Sequence, residues 1–364
     1  MPEPGWPLLS EDPVGGLPTA HGGPPLSGVL RAQPEDFLVE EELGFPLSGE
    51  GEHLVLRVRK RGLNTLDVAQ RIAAWAGVRP LAVGFAGLKD RRAMTVQHFS
   101  VQLPGAGSPD VHALAADGLE VLEFTRHHRK LQRGGLQGNR FALRLTGVVG
   151  AQAAAERRLE EIRTQGVPNY FGTQRFGRHA SNLAGAQSLF SGRASQFKPE
   201  QRRMYVSAAR SHIFNRVLAA RVNDGSWNGI LAGEVVLLGP DRRQLIATAP
   251  SEALLARLAA GELDPSGPLP GRAGHCISPE GDAVRTEADV ILRERLQPWV
   301  DSLVRLEVDG DRRALRMRPA GLTWEWEGGA TLVLRFGLAA GSYATSLVRE
   351  LMVAQPPNLR DSST

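Results

Sequence analysis

The run Gly138-Asn139-Arg140-Phe141-Ala142-Leu143-Arg144-Leu145-Thr146 alternates apolar and polar side chains with period two. Successive side chains of a strand point to opposite faces. Phe141, Leu143 and Leu145 are therefore predicted to face a core, Arg140, Arg144 and Thr146 to face outwards, and Asn139 to share the face of Phe141. Similar strand patterns fall at residues 53–59, where Leu54, Leu56 and Val58 align, and at 95–101, 121–124, 235–238, 314–317 and 331–336.

Helical spacing separates these strands. In residues 64–76, Leu66, Ala69, Ile72, Ala73 and Ala76 recur on one side before Gly77 ends the helix. Residues 151–165 carry Leu159 and Ile162 inwards and stop at Gly166, with Pro168 just beyond. Further helices are expected at 207–222, built on Ile213, Phe214, Val217 and Leu218, and at 251–260 and 287–296. A last one begins near Ser342, with Tyr343, Leu347, Val348, Leu351 and Met352 as its buried stripe. Residues 264–274, rich in Pro and Gly, read as a surface loop. Strand-rich, then helix-rich, then strand-rich order points to an α+β fold in which a middle domain is inserted into a discontinuous first one.

A chain of 364 residues is long enough for two domains, each with its own core. At 42% hydrophobic and 23% charged, with no apolar run approaching the roughly 18 residues of a membrane helix, it reads as a soluble globular chain with no membrane association. Residues 1–25 lack the basic start and apolar stretch of a secretory signal and read as a flexible lead-in. Cys276, the single cysteine, permits neither an internal disulfide nor a cysteine-rich zinc site, which suits a reducing cytoplasm.

The formal charge is +4, and the positive side is almost all arginine, since Lys60, Lys89, Lys130 and Lys198 are the only lysines. Arginine's planar fork suits phosphate and its face stacks on bases, which favours an RNA partner; genomic composition bias explains the same preference equally well. There is no Walker-type loop, no His-Glu-x-x-His pair and no metal-ligand spacing among the nine histidines, so nucleotide hydrolysis and zinc chemistry are unsupported. His275 and Cys276 are neighbours in sequence, and adjacent residues rarely point together as a nucleophile pair does.

Three segments carry candidate chemistry. Gly87-Leu88-Lys89-Asp90-Arg91-Arg92-Ala93 is a charged tight turn between apolar stretches. Its cations would keep Asp90 ionised and available as a nucleophile, although a solvated turn has the same composition. The basic stretch from Arg126 to Arg133, which includes Arg129 and Lys130, leads into Asn139 and Phe141. It could track a phosphate backbone while Phe141 stacks a base, or be a solvated edge. Asn169-Tyr170-Phe171-Gly172 with Gln174-Arg175-Phe176-Gly177-Arg178 mixes aromatics, amides and arginines, as RNA contact or as a buttressing loop.

Together these segments resemble the tRNA pseudouridine synthase D (TruD) family, from Ser27 to Leu351. The shared motifs occur in order: Pro34-Glu35-Asp36-Phe37; Gly87-Leu88-Lys89-Asp90 with Ala93, Thr95 and Gln97; Gly138-Asn139 with Phe141; Asn169-Tyr170-Phe171-Gly172 with Gln174-Arg175-Phe176-Gly177; Ser207 to Asn215; and Gly341-Ser342-Tyr343-Ala344-Thr345 with Arg349-Glu350. The resemblance implies a pseudouridine-synthase catalytic domain with a mixed β-sheet, interrupted by a family-specific α/β insertion. The expected division is a lead-in over 1–26, catalytic segments over 27–165 and 312–364, and the inserted domain over 166–311.

It also implies the activity, isomerisation of uridine to pseudouridine in tRNA, usually at position 13, without a cofactor or an obligatory protein partner. Asp90 matches the catalytic aspartate. Arg31 stands where a basic residue, commonly lysine, pairs with it, and Phe37, Asn139, Phe141 and Phe336 match positions around the uridine. Lys89, Arg129, Lys130, Tyr170, Gln174 and Arg175 are candidate RNA contacts. Two rival readings are a non-catalytic tRNA-binding or remodelling protein, and a glycosidase using Glu40, Glu41 or Glu42. The second is disfavoured because consecutive strand residues face alternate sides.

Overall fold

The computed structural model describes residues 5–355 apart from 106, 108 and 240. Residues 1–4 of the expected lead-in and 356–364 of the expected second catalytic segment lie outside the described residues. The chain folds as α+β and divides into two compact units. One holds Pro25–Arg157, Pro319–Ala344 and the described part of Leu351–Thr364; the other holds the described part of Met1–Pro24, Arg158–Arg318 and Thr345–Glu350.

The first unit is built on one mixed sheet. Its strand order is Ala320–Glu327, Thr331–Ala339, Leu136–Gly150, Phe37–Leu43, Met94–Gln102, His53–Lys60, Leu119–His127. Leu26–Leu30 pairs with the long strand, Met352–Gln355 runs parallel to it, and Val83–Phe85 adds to Met94–Gln102. Phe37–Leu43 and Met94–Gln102 are parallel, whereas the pairs on either side are antiparallel.

The alternation in Leu136–Gly150 is realised as read: Phe141, Leu143 and Leu145 are buried, and so is Asn139. Register then selects neighbours. Phe336 and Val39 lie opposite Phe141, while Leu338 and Glu41 lie opposite Asn139. Helix Thr65–Trp75 covers Leu54, Leu56, Val58, Phe99 and Val101 with Val68, Ala69, Ile72 and Ala73. Leu66, expected in that buried stripe, is instead 51% exposed, because the face centred on Val68 and Ile72 is the one that meets the sheet.

The second unit contains helices Ser181–Phe190, Pro199–Asn223, Glu252–Ala260, Gly281–Arg293 and Gln297–Arg305, and a four-stranded sheet ordered Arg243–Ala247, Glu234–Leu238, Leu263–Leu269, Asp311–Ala314. The long helix starts at Pro199, earlier than its apolar pattern suggested, because proline at the first turn requires no N–H partner.

Residues 264–274 are corrected in part, since Leu263–Leu269 is a largely buried strand. Leu263, Asp264 and Pro265 pair with one neighbour and Ser266–Leu269 with the other, so each residue is laddered on one side only. A proline fits such a strand wherever its nitrogen points away from the ladder. At the N-terminal end, Glu350 accepts backbone N–H bonds from Ala20 (3.0 Å) and His21 (3.3 Å), and Arg158 donates to the carbonyl of His21. No described helix is long and apolar enough to cross a membrane.

Candidate active site

The turn carrying Asp90 is fastened from beneath. The Thr65 hydroxyl, fully buried, accepts from the Lys89 backbone N–H (2.9 Å) and donates to the Gln97 amide oxygen (3.1 Å). The Gln97 amide in turn donates to the Gly87 carbonyl at 3.3 Å. Above this base, Asp90 Oδ1 accepts from the Arg92 backbone N–H (3.0 Å) and Oδ2 from Arg31 Nη1 (2.9 Å). The carboxylate stays partly open, 28% exposed.

Arg31 comes from just beyond the strand Leu26–Leu30 and holds φ at +65°, a left-handed conformation uncommon for a residue with a side chain. Such outliers collect at functional sites. Its guanidinium lies 3.9 Å above the Phe37 ring, so one side chain touches both Asp90 and the aromatic cluster. In that cluster Phe141 and Phe336 stack at 5.4 Å, and Phe37 meets Phe141 edge-on at 6.2 Å. Sheet register sets Phe37, Asn139, Phe141 and Phe336 together, and the Arg31 side chain ties Asp90 to Phe37, all within the first unit.

Beside them Lys89, Asn139 and Glu41 form a buried polar network that sequence reading named residue by residue but did not connect. Lys89 Nζ donates to Asn139 Oδ1 (2.7 Å) and pairs with Glu41 Oε1 (3.0 Å), and Glu41 Oε2 accepts the His98 backbone N–H (3.0 Å). Burial pushes the Glu41 carboxyl up, and Lys89 opposes that. Burial also lowers the Lys60 ammonium to about 8 and the His98 ring to about 4. A signal for Glu41 did exist: period two puts it on the face of Phe37 and Val39, away from Glu40 and Glu42.

Two of the candidate RNA contacts do not face solvent. Lys89 turns inwards because its ammonium is satisfied by Glu41 and Asn139, with only 9% of the side chain exposed. Tyr170 is 1% exposed; Arg349 lies 5.5 Å over its ring, and its carbonyl accepts from Ser346. Arg129 and Gln174 are exposed, and Lys130 donates to the Leu81 carbonyl. Arg175 donates to Ser207 Oγ at 2.8 Å. The neighbouring Asn169 and Phe171 are bound by Arg313 and Asn215, which fits the buttressing role for that part of the loop. Burial raises the Cys276 thiol, the opposite of what a thiolate nucleophile needs.

Comparison with known proteins bears on the family and the fold. The family model described as tRNA pseudouridine synthase D (TruD) matches residues 19–187 and 181–351. A tRNA pseudouridine synthase D of Xanthomonas campestris is 45% identical over 94% of this chain and 95% of its own. One of Stutzerimonas stutzeri is 46% identical over 94% and 98%. A solved structure from Methanosarcina mazei, described under the same family name, superposes with a TM-score of 0.70 over 96% of this chain and 97% of its own; at 22% identity it speaks for the fold.

Proposed function

The chain belongs to the tRNA pseudouridine synthase D family, and from that premise we propose that it isomerises uridine to pseudouridine in tRNA, at position 13, with Asp90 as the nucleophile and no cofactor. The observation that carries this reading is the Asp90–Arg31 pair at 2.9 Å, with Arg31 also lying on Phe37 of the aromatic cluster. The unit containing Pro25–Arg157 and Pro319–Ala344 is the catalytic one in this reading. The other is the family's insertion, and the enzyme works in the cytoplasm.

The reaction breaks the bond between ribose C1′ and uracil N1 and joins C1′ to C5, with C5 losing the proton that N1 gains, so the net change is an isomerisation. Three routes use the carboxylate: addition to uracil C6, attack on C1′ as the glycosidic bond opens, or removal of a ribose proton to give a glycal. All three require an anionic oxygen held at a fixed place, which the Arg31 and Arg92 contacts supply.

Extruding the uridine from the RNA stack costs a few kcal/mol, and stacking on an aromatic ring returns about 1–3 kcal/mol per base, the role assigned to Phe141. Asn139, on the same strand face, hydrogen-bonds the uracil edge and disfavours cytidine. Incubating the purified protein with unmodified tRNA transcripts and mapping pseudouridine tests the proposal. Product at position 13 is expected, product elsewhere overturns the position, and absence of product on every transcript overturns the activity.

A further inference from the structure

Building on the reading that Asn139 meets the uracil edge, we infer that Lys89 is a positioning residue that sets the preference for uridine over cytidine by fixing which end of the Asn139 amide each base atom meets. A side-chain amide offers an acceptor at one end and two donors at the other, and a half-turn exchanges them. Here the chemistry of the neighbour decides the orientation. The Lys89 ammonium lies 2.7 Å from Asn139 Oδ1 and has only donors, so the flipped amide would lose that bond and set NH2 against NH3⁺.

Lys89 has little room to withdraw. Its ammonium also pairs at 3.0 Å with Glu41, whose side chain is fully enclosed and whose other oxygen is held by the His98 N–H. Its own backbone N–H is tied to Thr65. Locked in this way, Asn139 keeps a second lone pair on Oδ1 and its amide N–H groups to offer a base.

Uracil presents N3–H, a donor, next to O4, an acceptor. Cytosine presents N3, an acceptor, next to a donating amino group. The locked amide complements the first pattern and opposes the second, whereas the flipped amide would complement cytosine. A mismatched pair in a closed pocket leaves polar groups unsatisfied, which is how sites reject near-isosteres. The choice between the two bases is thereby set by a lysine that touches neither.

The test uses the full-length protein carrying Asp90→Asn, so that no turnover occurs, and two tRNA transcripts identical except for U or C at the reacting position. The ratio of their Kd values is measured. That protein is expected to prefer the U transcript by about tenfold or more, the discrimination of a good bidentate contact. Adding Lys89→Met is expected to remove most of the preference.

A merely structural role for Lys89 would weaken both complexes alike and leave the ratio unchanged. Should Lys89→Met alone unfold by leaving Glu41 unpaired, the combined Glu41→Gln/Lys89→Met change removes both charges, and the same loss is expected. An unchanged ratio in the lysine variants, with the ratio lost in Asn139→Ala, overturns the inference while the reading of Asn139 stands. A ratio unchanged in Asn139→Ala overturns the reading beneath it.

Discussion

Each unit of the molecule buries an acid–base pair, and the two pairs are finished differently. In the helix-rich unit Arg221 and Glu234 are 3% and 0% exposed at the side chain. Arg221 donates to both oxygens of Glu234, to Ser226 Oγ and to the carbonyls of Ser226 and Gly229, while Glu234 also accepts from the Leu231 N–H. The guanidinium is wholly committed to the fold. In the sheet unit the Lys89–Glu41 pair is somewhat less enclosed, at 9% and 0% exposed, and it passes a hydrogen bond on to Asn139. A closed network fastens a structure; one that ends on a side chain with capacity to spare prepares a site.

The sharpest way to break that contrast is to cut the closed pair. Arg221→Met leaves Glu234 buried without its cation and is expected to lower stability by about 3–5 kcal/mol, read by chemical denaturation. The protein that remains folded should retain its activity per molecule. A stable Arg221→Met protein with impaired turnover would place this pair in the catalytic machinery and erase the distinction.

Acid titration probes both units. Burial holds His98 in the sheet unit and His212 in the helical one at about 4, below the ordinary 6.5. The unfolded chain therefore binds more protons between those values. The stability each neutral ring contributes is complete above about 6.5 and is lost as pH falls towards 4, by up to about 3 kcal/mol apiece. Denaturation midpoints measured from pH 7 to pH 4 should fall, and His212→Phe should flatten the slope. An unchanged slope in that variant would contradict the assignment.

A smaller effect is expected from the aromatic cluster. Phe141→Leu keeps an apolar side chain but removes the stacking face, and should cost about 1–3 kcal/mol in kcat/KM, or roughly fivefold to 150-fold. The smallest concerns Leu66: Leu66→Glu should change stability by no more than about 0.5 kcal/mol, as for other exposed positions. A large loss would mean that the helix buries the face first read from its sequence.

The same contrast explains what could be read in advance. Period two in Leu136–Gly150 placed Asn139 and Phe141 on one face, because backbone geometry imposes that pattern locally. The charged turn by itself left Asp90 a solvated turn residue, and only the ordered motifs of the family resemblance pointed to it. Leu66 and the strand Leu263–Leu269 were misread because burial is decided by which partner arrives from elsewhere in the chain. Helical spacing does not name that partner, and proline content does not exclude it. Lys89, on a charged turn, reads from sequence as a candidate RNA contact. What makes it internal is Glu41, 48 residues earlier, brought opposite Asn139 by sheet register.

The central claim is that the partly open carboxylate of Asp90 performs the isomerisation. Its most direct test is pseudouridine mapping on unmodified tRNA transcripts treated with the native protein or with Asp90→Asn, alongside tRNA affinity measured for both. The account predicts pseudouridine with the native protein, none with Asp90→Asn, and tRNA affinity retained within about threefold, since an amide of the same shape cannot act as the anionic nucleophile. Pseudouridine formed by Asp90→Asn at the native rate would contradict it.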